Sequence, residues 1–426
     1  MPAIIEFPTL VQHAVEQFGA VFGNAPERRH FAEYLTGLLV AEKKTVSGMN
    51  AEFVQTTDQS CLNRWITEVD WDVDQLNEQR LAWLQRDPQT RYAPSGVIPI
   101  DNTLVDHAGK LIEDAGYFWD HAEQRHKIAH DYLIANYVCP SGKHYALDFR
   151  RFRKRADCEA AQARLVAQPG GVAAASADDQ RLATFKSHTV LCCELIDWVV
   201  EHQIPGTFAF DSYFTNAPVC NHIAQHERGY VGDLKFNRKV WFGGVELSAA
   251  EMAAQIPAGD RKKVTRGERT QWYFTKKIWL PEYTHAVRIV ILWNQWNGKE
   301  PVKILITNQT HWEVTRVLRG YGQRWTGTET LHRDGKPHLG MGDCQLRSGE
   351  GQTRHFYLVL LVHSLLMAQL RQGRARAWAT ETLTTIGEAC RAVLREMLGK
   401  TISWAIERAT LDGWQPERIK AHLQLA

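Results

Sequence analysis

Between Gly96 and Asn216 the chain changes its hydrophobic period several times, and the order of those changes leaves few folds open. GVIPIDNTLV reads as a strand that delivers Asp101 and then polar residues. HDYLIANYVCPSGKHYALDFRRF reads as a hairpin, two apolar strands around a PSGK turn. The Gly/Ala-rich stretch QPGGVAAASADD follows as a loop. TVLCCELIDWVVEHQI has the spacing of an amphipathic helix, and TFAFDSYFTN is another apolar strand ending in Asp211. Strand, antiparallel hairpin, helix and a strand returning beside the first make a mixed α/β sheet. The sheet can set Asp101 and Asp211 side by side, and sites at the carboxyl ends of sheet strands are a general tendency of α/β folds.

The flanks follow other rules. Residues 1–93 read as short helices in series. PERRHFAEYLTGLL places Phe31, Tyr34, Leu35 and Leu38 at helical spacing, and Thr57 or Asp58 offers an N-cap ahead of Leu62, Trp65 and Ile66. Such helices fit either a helix-turn-helix reader of DNA or a small structural bundle, and an acidic balance favours the bundle. DPQTRYAPSG is a linker by its turn formers. Residues 231–320 break the α/β rhythm with QWYFTKKIWL, HAVRIVILWN and VKILITN, runs dense in β-branched and aromatic residues. Helix returns from about Tyr321. The expected division is therefore 1–93 helical, 94–230 the first part of the core, 231–320 a β-stranded insertion, 321–375 the second part of the core, and 376–426 C-terminal helices.

Composition removes several function classes. With 426 residues, 44% hydrophobic and 23% charged, the chain can bury more than one core. The longest apolar run, His355 to Leu370, is interrupted by His363 and Ser364 and is shorter than the roughly 20 residues of a bilayer span, so a buried helix is expected. The start MPAIIEFPTL has no basic segment leading into an apolar one, so nothing marks it for secretion. Eight cysteines without CxxC spacing make neither a disulfide framework nor a zinc ribbon. A cytoplasmic protein is expected, associated with the nucleoid when bound to DNA.

The net charge of +2 hides a division. Residues 1–100 hold 8 Lys/Arg against 13 Asp/Glu, whereas residues 231–320 hold 15 against 8. Clustered basic charge suits a surface that meets a phosphate backbone. Within that segment AGDRKKVTRGER reads as a solvated, phosphate-attracting loop carrying Arg261, Lys262 and Lys263. Trp293 and Trp296 in ILWNQWNG offer faces on which an extruded base could stack, and core packing is the ordinary alternative for at least one of them. His121, His126 and His130 have no metal-like pairing beyond one i, i+4 step. Two aspartates on adjacent strands with a third acid from a later helix form a hard-oxygen site that suits Mg²⁺ or Mn²⁺. Two such ions can serve phosphodiester cleavage by activating the attacking oxygen and stabilising the leaving one.

Three blocks carry a resemblance. Ile100 to Val138, Phe210 to Ile223 and Tyr321 to Ser348 resemble the first, second and third conserved blocks of DDE transposases from bacterial insertion sequences. The third block carries a Tyr, Arg, Glu, Lys signature, and the match is to the branch with a β-stranded insertion between the second and third acids. It covers about residues 30–375. The resemblance implies an RNase H-like core with Asp101, Asp211 and Glu329 as the triad that binds two Mg²⁺ ions, with Mn²⁺ as a substitute. It also implies that Tyr321, Arg324 and Lys336 lie near the scissile phosphate or the transposon-end DNA. Partners implied are double-stranded DNA, both terminal repeats and target, and a second copy of the chain on that DNA. The expected function is cleavage at element ends and transfer of the 3′-hydroxyls to target DNA. The alternative is a transposase-derived DNA-binding or regulatory protein that no longer cuts.

One spacing departs from the family. Glu usually follows the Arg by four residues, whereas Arg324 and Glu329 are five apart; the spacing from Glu329 to Lys336 is kept. At about 100° per residue, Arg324 would sit about 140° from Glu329 on one continuous helix. An irregularity between Trp325 and Glu329 is therefore expected, either a helix start near Thr328 or a π-bulge. A regular helix through 324–336 would move the third ligand elsewhere.

Overall fold

In a computed structural model of the chain, residues 4–109, 111–121, 123–168, 175–371, 378–379 and 382–425 are described. They divide between two compact units. The first comprises Met1–Arg91, Leu104–Asp131 and Leu331–Ala426, the second Tyr92–Thr103 and Tyr132–Thr330.

The second unit is built on the sheet that the sequence pattern anticipates. Its strands are β1 (Val97–Asp106) and β3 (Arg125–Val138), both of which run on into the first unit, then β4 (His144–Phe152), β5 (Thr207–Phe210) and β6 (Tyr230–Asp233). A short strand β2 (Gly116–Asp120), which the sequence reading did not single out, pairs with the start of β3 inside the first unit. Strand order in the second unit begins β3, β1, β5, β6, with β4 paired to β3; β1, β5 and β6 are mutually parallel. This is an RNase H-like mixed sheet. Helices α6 (Arg155–Ala167), α7 (Ala177–Ala183) and α8 (His188–Glu201) lie between β4 and β5, and α9 (Ala217–Gln225) leads out of β5 toward β6. Ser187 caps α8 and Asn216 caps α9, each through its side chain.

The cationic segment extends this sheet. After the hairpin β7 (Lys239–Phe242) and β8 (Val245–Ser248) and the short helix α10 (Ala249–Ala254), strands β9 (Lys262–Arg266), β10 (Arg269–Ile278), β11 (Val287–Trp293) and β12 (Lys303–Thr307) continue the order from β6 as β12, β11, β10, β9, all antiparallel. The AGDRKKVTRGER run is therefore a strand and a tight turn, not the expected loop. Arg266 pairs with Arg269, and Gly267 at φ 57 takes the left-handed conformation that a two-residue hairpin needs. Val231, Val290, Leu292 and Leu305 from this sheet pack on Val314, Val317 and Leu318 at the start of α11 (Val314–Leu339). Each such buried side chain stabilises the unit by about 1.5–3 kcal/mol. Part of the Gly/Ala-rich stretch expected as a loop lies outside the described residues.

The first unit is helical. The sequence expectation of helices in series holds for α1 (Thr9–Phe18), α2 (Ala25–Val40), α3 (Val46–Asn50), α4 (Gln59–Thr67) and α5 (Val73–Leu84), with Asp58 capping α4. Of these, α2, α4 and α5 pack on α12 (Gly349–Gln369), and α2 also on α13 (Ile386–Leu411); the chain continues to α14 (Pro416–His422). Helix α12 contains the long apolar run and is buried along almost its whole length. Two of its polar residues have hydrogen-bond partners: Tyr34 Oη lies 2.8 Å from His355 Nδ1, and Arg80 donates to Ser364 Oγ at 2.8 Å. No described helix is long and apolar enough to cross a membrane.

Candidate active site

The parallel ladder between β1 and β5 pairs Val97 with Thr207, Ile98 with Phe208 and Pro99 with Ala209. The same offset carries Asp101 opposite Asp211, just past the end of β5. The next ladder pairs Ala209 with Val231 and Phe210 with Gly232, so its offset carries Asp211 opposite Asp233. Residues opposite one another in adjacent strands project to the same face, and three aspartates thus form a row across three strands. Asp211 is fixed by its own turn: its Oδ1 accepts from the backbone N–H groups of Tyr213 (2.9 Å) and Phe214 (3.2 Å).

Asp101 is the perturbed member. Its side chain is 15% exposed, and burial, reinforced by the neighbouring Asp211, pushes its carboxyl up from 3.8 to about 7. Arg324 and the Asn102 N–H pull it down, and Glu329 adds a smaller upward push. Arg324 donates to Asp101 Oδ2 at 2.8 Å. Burial works against the Arg324 charge, but Asp101, Tyr321 and Asp211 hold its pKa above the ordinary value. Three residues earlier on α11, Tyr321 Oη donates to Asp233 Oδ2 at 3.4 Å, and the Lys303 ammonium sits 2.8 Å from the same oxygen. Asp233 is thus already paired with a cation.

Helix α11 runs unbroken from Val314 to Leu339, with Pro337 in its last turn and no interruption between Trp325 and Glu329, which corrects the irregularity expected there. The physical reason lies in Gly327. A Cβ there would come within 2.6 Å of Pro99 and 2.7 Å of Val138. Its bare Cα therefore serves close packing of an unbroken helix on β1 and β3, not a break in the helix. Thr328, expected as an N-cap, instead donates its hydroxyl to the Arg324 carbonyl at 3.0 Å within the helix. On this regular helix Glu329 is turned about 140° from Arg324. By the spacing argument this counts against Glu329 as the third ligand; what keeps it a candidate is that, of the α11 acids, it is the one whose charge acts on Asp101.

The remaining expected contacts scatter. Lys336 belongs to the first unit, as does Asp334, the later acid of α11 that was not expected to share the face of Glu329. Asp334 is buried, which raises its carboxyl; Lys336 is exposed, in the field of Asp106, Asp120 and Glu123. Arg261 is not a free phosphate ligand. Its guanidinium donates to the carbonyls of Trp296 (3.0 Å), Gly298 (2.7 Å) and Ile256 (3.2 Å), and burial lowers its pKa. It also lies 3.9 Å above the ring of Trp293, which is fully buried and so has no face open to a base. Trp296 is half-exposed. Lys262 and Lys263 are exposed on β9, the last strand of the sheet. The sequence reading missed the Arg324–Asp101 pair and the place of Asp233. For the latter a signal was present: Asp233 ends its strand as Asp211 follows its own.

Carboxylates of this kind fit a hard divalent cation. The donors are oxygens only, and Asp211 raises the cost of ionising Asp101, which a cation relieves. Asp101, Asp211 and Glu329 do not, however, bring their ligand atoms within 4.8 Å of one another. Among the described residues, the group that does so is Asp197, His222 and His226.

A family model described as "DDE superfamily endonuclease" matches residues 17–273, more than half of the chain. The matched span contains Asp101 and Asp211 and ends before the block from Tyr321 to Ser348. No curated protein matches the chain.

Proposed function

Because the chain belongs to the DDE superfamily of endonucleases, we propose that it is a transposase that binds the terminal repeats of its element, cuts DNA there and joins the freed 3′-hydroxyls to target DNA. The observation that carries the reading is the placement of Asp101 and Asp211 opposite one another, with Asp101 raised to about 7. Asp101 and Asp211, with Glu329 from α11, are the proposed ligands of two Mg²⁺ ions, for which Mn²⁺ can stand in. When bound, such ions activate an attacking oxygen and stabilise a leaving one in an in-line displacement at phosphorus.

The protein's own part is positional. The Asp211 turn holds that carboxylate through two backbone N–H groups. Arg324 holds Asp101 through one guanidinium nitrogen, and its buried Nε has no hydrogen-bond partner. Its planar guanidinium is the proposed phosphate contact beside the acids, through a nitrogen other than the buried Nε. The exposed Lys262 and Lys263 on β9 are proposed phosphate contacts, and half-exposed Trp296 a proposed stacking surface for a base. Two ends held together require a dimer on DNA. Leu394, Leu398, Ile402 and Ile406, exposed at four-residue spacing along α13, supply an apolar stripe suited to a second copy.

A second reading, a relative that binds ends without cutting, is favoured by one observation: regular α11 turns Glu329 away from the side on which Arg324 meets Asp101. A supercoiled plasmid carrying the cognate ends separates the two. With Mg²⁺ the transposase reading expects cleavage by the wild type, and loss of cleavage with end binding retained in Asp211→Asn. Binding without cleavage by the wild type would establish the second reading.

A further inference from the structure

The two helices that flank Asp211 meet at a cluster outside the row of acids. Helix α8 presents Asp197, and α9 presents His222, with His226 one turn later at its C-cap. Residues four apart share a helix face, so both imidazoles reach the same neighbour. His222 Nε2 lies 2.7 Å and His226 Nε2 2.8 Å from Asp197 Oδ1. The rings stand 4.9 Å apart at 84°. All three side chains are partly exposed, at 40% for Asp197, 25% for His222 and 31% for His226, so a small ion can enter from solvent.

We propose that Asp197, His222 and His226 form a binding site for a borderline transition-metal dication of the zinc class, which clasps α8 to α9 on either side of the Asp211 turn. Two imidazole nitrogens and a carboxylate oxygen are a zinc-type donor set that leaves one position to solvent. They are poor ligands for Mg²⁺, which prefers oxygens alone. The hydrogen-bonded cluster is the ion-free form. Zinc–ligand bonds of about 2.0–2.2 Å set neighbouring donors roughly 3.3 Å apart, so the ion needs Asp197 to part from each imidazole by about half an ångström. In the ion-bound form each imidazole carries one proton on Nδ1 and offers the Nε2 lone pair, and any second ring proton leaves to solvent. The hydrogen-bonded pairs alone, exposed as they are, would contribute little to holding the helices. An ion ligated from both helices ties the segment that contains Asp211 at its two ends.

The test is zinc titration of the full chain after chelator treatment, in excess Mg²⁺ so that oxygen sites are filled. It compares the wild type, the double variant His222→Gln/His226→Gln, and His202→Gln. His202 caps α8 outside the cluster and is exposed, with its ring nitrogen 2.7 Å from the Trp198 carbonyl. Wild type and His202→Gln should take up one zinc equivalent that the double variant lacks, and zinc should raise their melting temperature but not that of the double variant. Equal zinc uptake by all three, or none by the wild type, overturns the proposal. If the double variant fails to fold in chelator, Asp197→Asn read by Co²⁺ absorption decides: loss of the tetrahedral Co²⁺ spectrum supports the site, and an unchanged spectrum overturns it. None of these readouts involves DNA cleavage, so they stand or fall separately from the transposase reading.

Discussion

Cation binding at the aspartates should follow pH through the proton on Asp101. Its carboxyl sits at about 7, and a protonated carboxyl is not a ligand. Below that value the apparent affinity for Mn²⁺ should fall about tenfold per pH unit, or about 1.4 kcal/mol. At pH 5 binding should therefore be roughly 100-fold weaker than on the plateau above pH 8. An aspartate at the ordinary value of 3.8 would give a flat profile over that range. Free Mn²⁺ measured by electron paramagnetic resonance at stepped pH gives the curve directly. Arg324→Met removes the charge that pulls Asp101 down, so the midpoint should move to higher pH. Stability of the cation-free protein runs the other way. The folded value lies above the unfolded one, so the folded state holds this proton more tightly. That contribution is complete below 3.8 and is lost as pH rises toward about 7, at most about 4 kcal/mol. Mn²⁺ affinity that stays constant from pH 5 to 8 would refute the reasoning.

Three further outcomes follow from the packing and the charges. Gly327→Ala puts a Cβ within 2.6–2.7 Å of Pro99 and Val138, so it should cost about 1–3 kcal/mol by thermal melting and lower cleavage by moving α11 off β1. Lys262→Glu/Lys263→Glu should weaken end binding and flatten its logarithmic salt slope by about 2 with the melting temperature unchanged, whereas Arg261→Glu should lower the melting temperature, because it leaves the Trp296, Gly298 and Ile256 carbonyls without their donor. Glu329→Gln should abolish cleavage and Asp334→Asn only weaken it, as measured on the same end DNA; the opposite ranking would remove Glu329 from the site.

The sheet was legible because its strands announce themselves locally. GVIPIDNTLV, the PSGK hairpin and TFAFDSYFTN each carry their period in a few residues, and they became β1, β3 with β4, and β5. The pairing of Asp101 with Asp211 could be anticipated for the same reason, since it needs only two strands to be neighbours in register. Less legible were features that depend on what lies across from a residue. Gly327 suggests a break when read along the helix, yet Pro99 and Val138 show it to be a contact. Arg261 looks like surface charge until the three carbonyls around it are seen, and Trp293 looks like a stacking platform until Arg261 covers it. His222 and His226 have helical spacing in the sequence, but their meaning comes from Asp197 on another helix.

Single-turnover cleavage of end DNA in Mg²⁺ by Asp101→Asn, Asp211→Asn and Asp233→Asn tests the central claim most directly. All three aspartates lie in the same row, but the Lys303 ammonium already neutralises Asp233. Asp101→Asn and Asp211→Asn should fall to background while still binding the ends, and Asp233→Asn should keep most of its activity. Cleavage near the wild-type rate by Asp101→Asn or Asp211→Asn would contradict it.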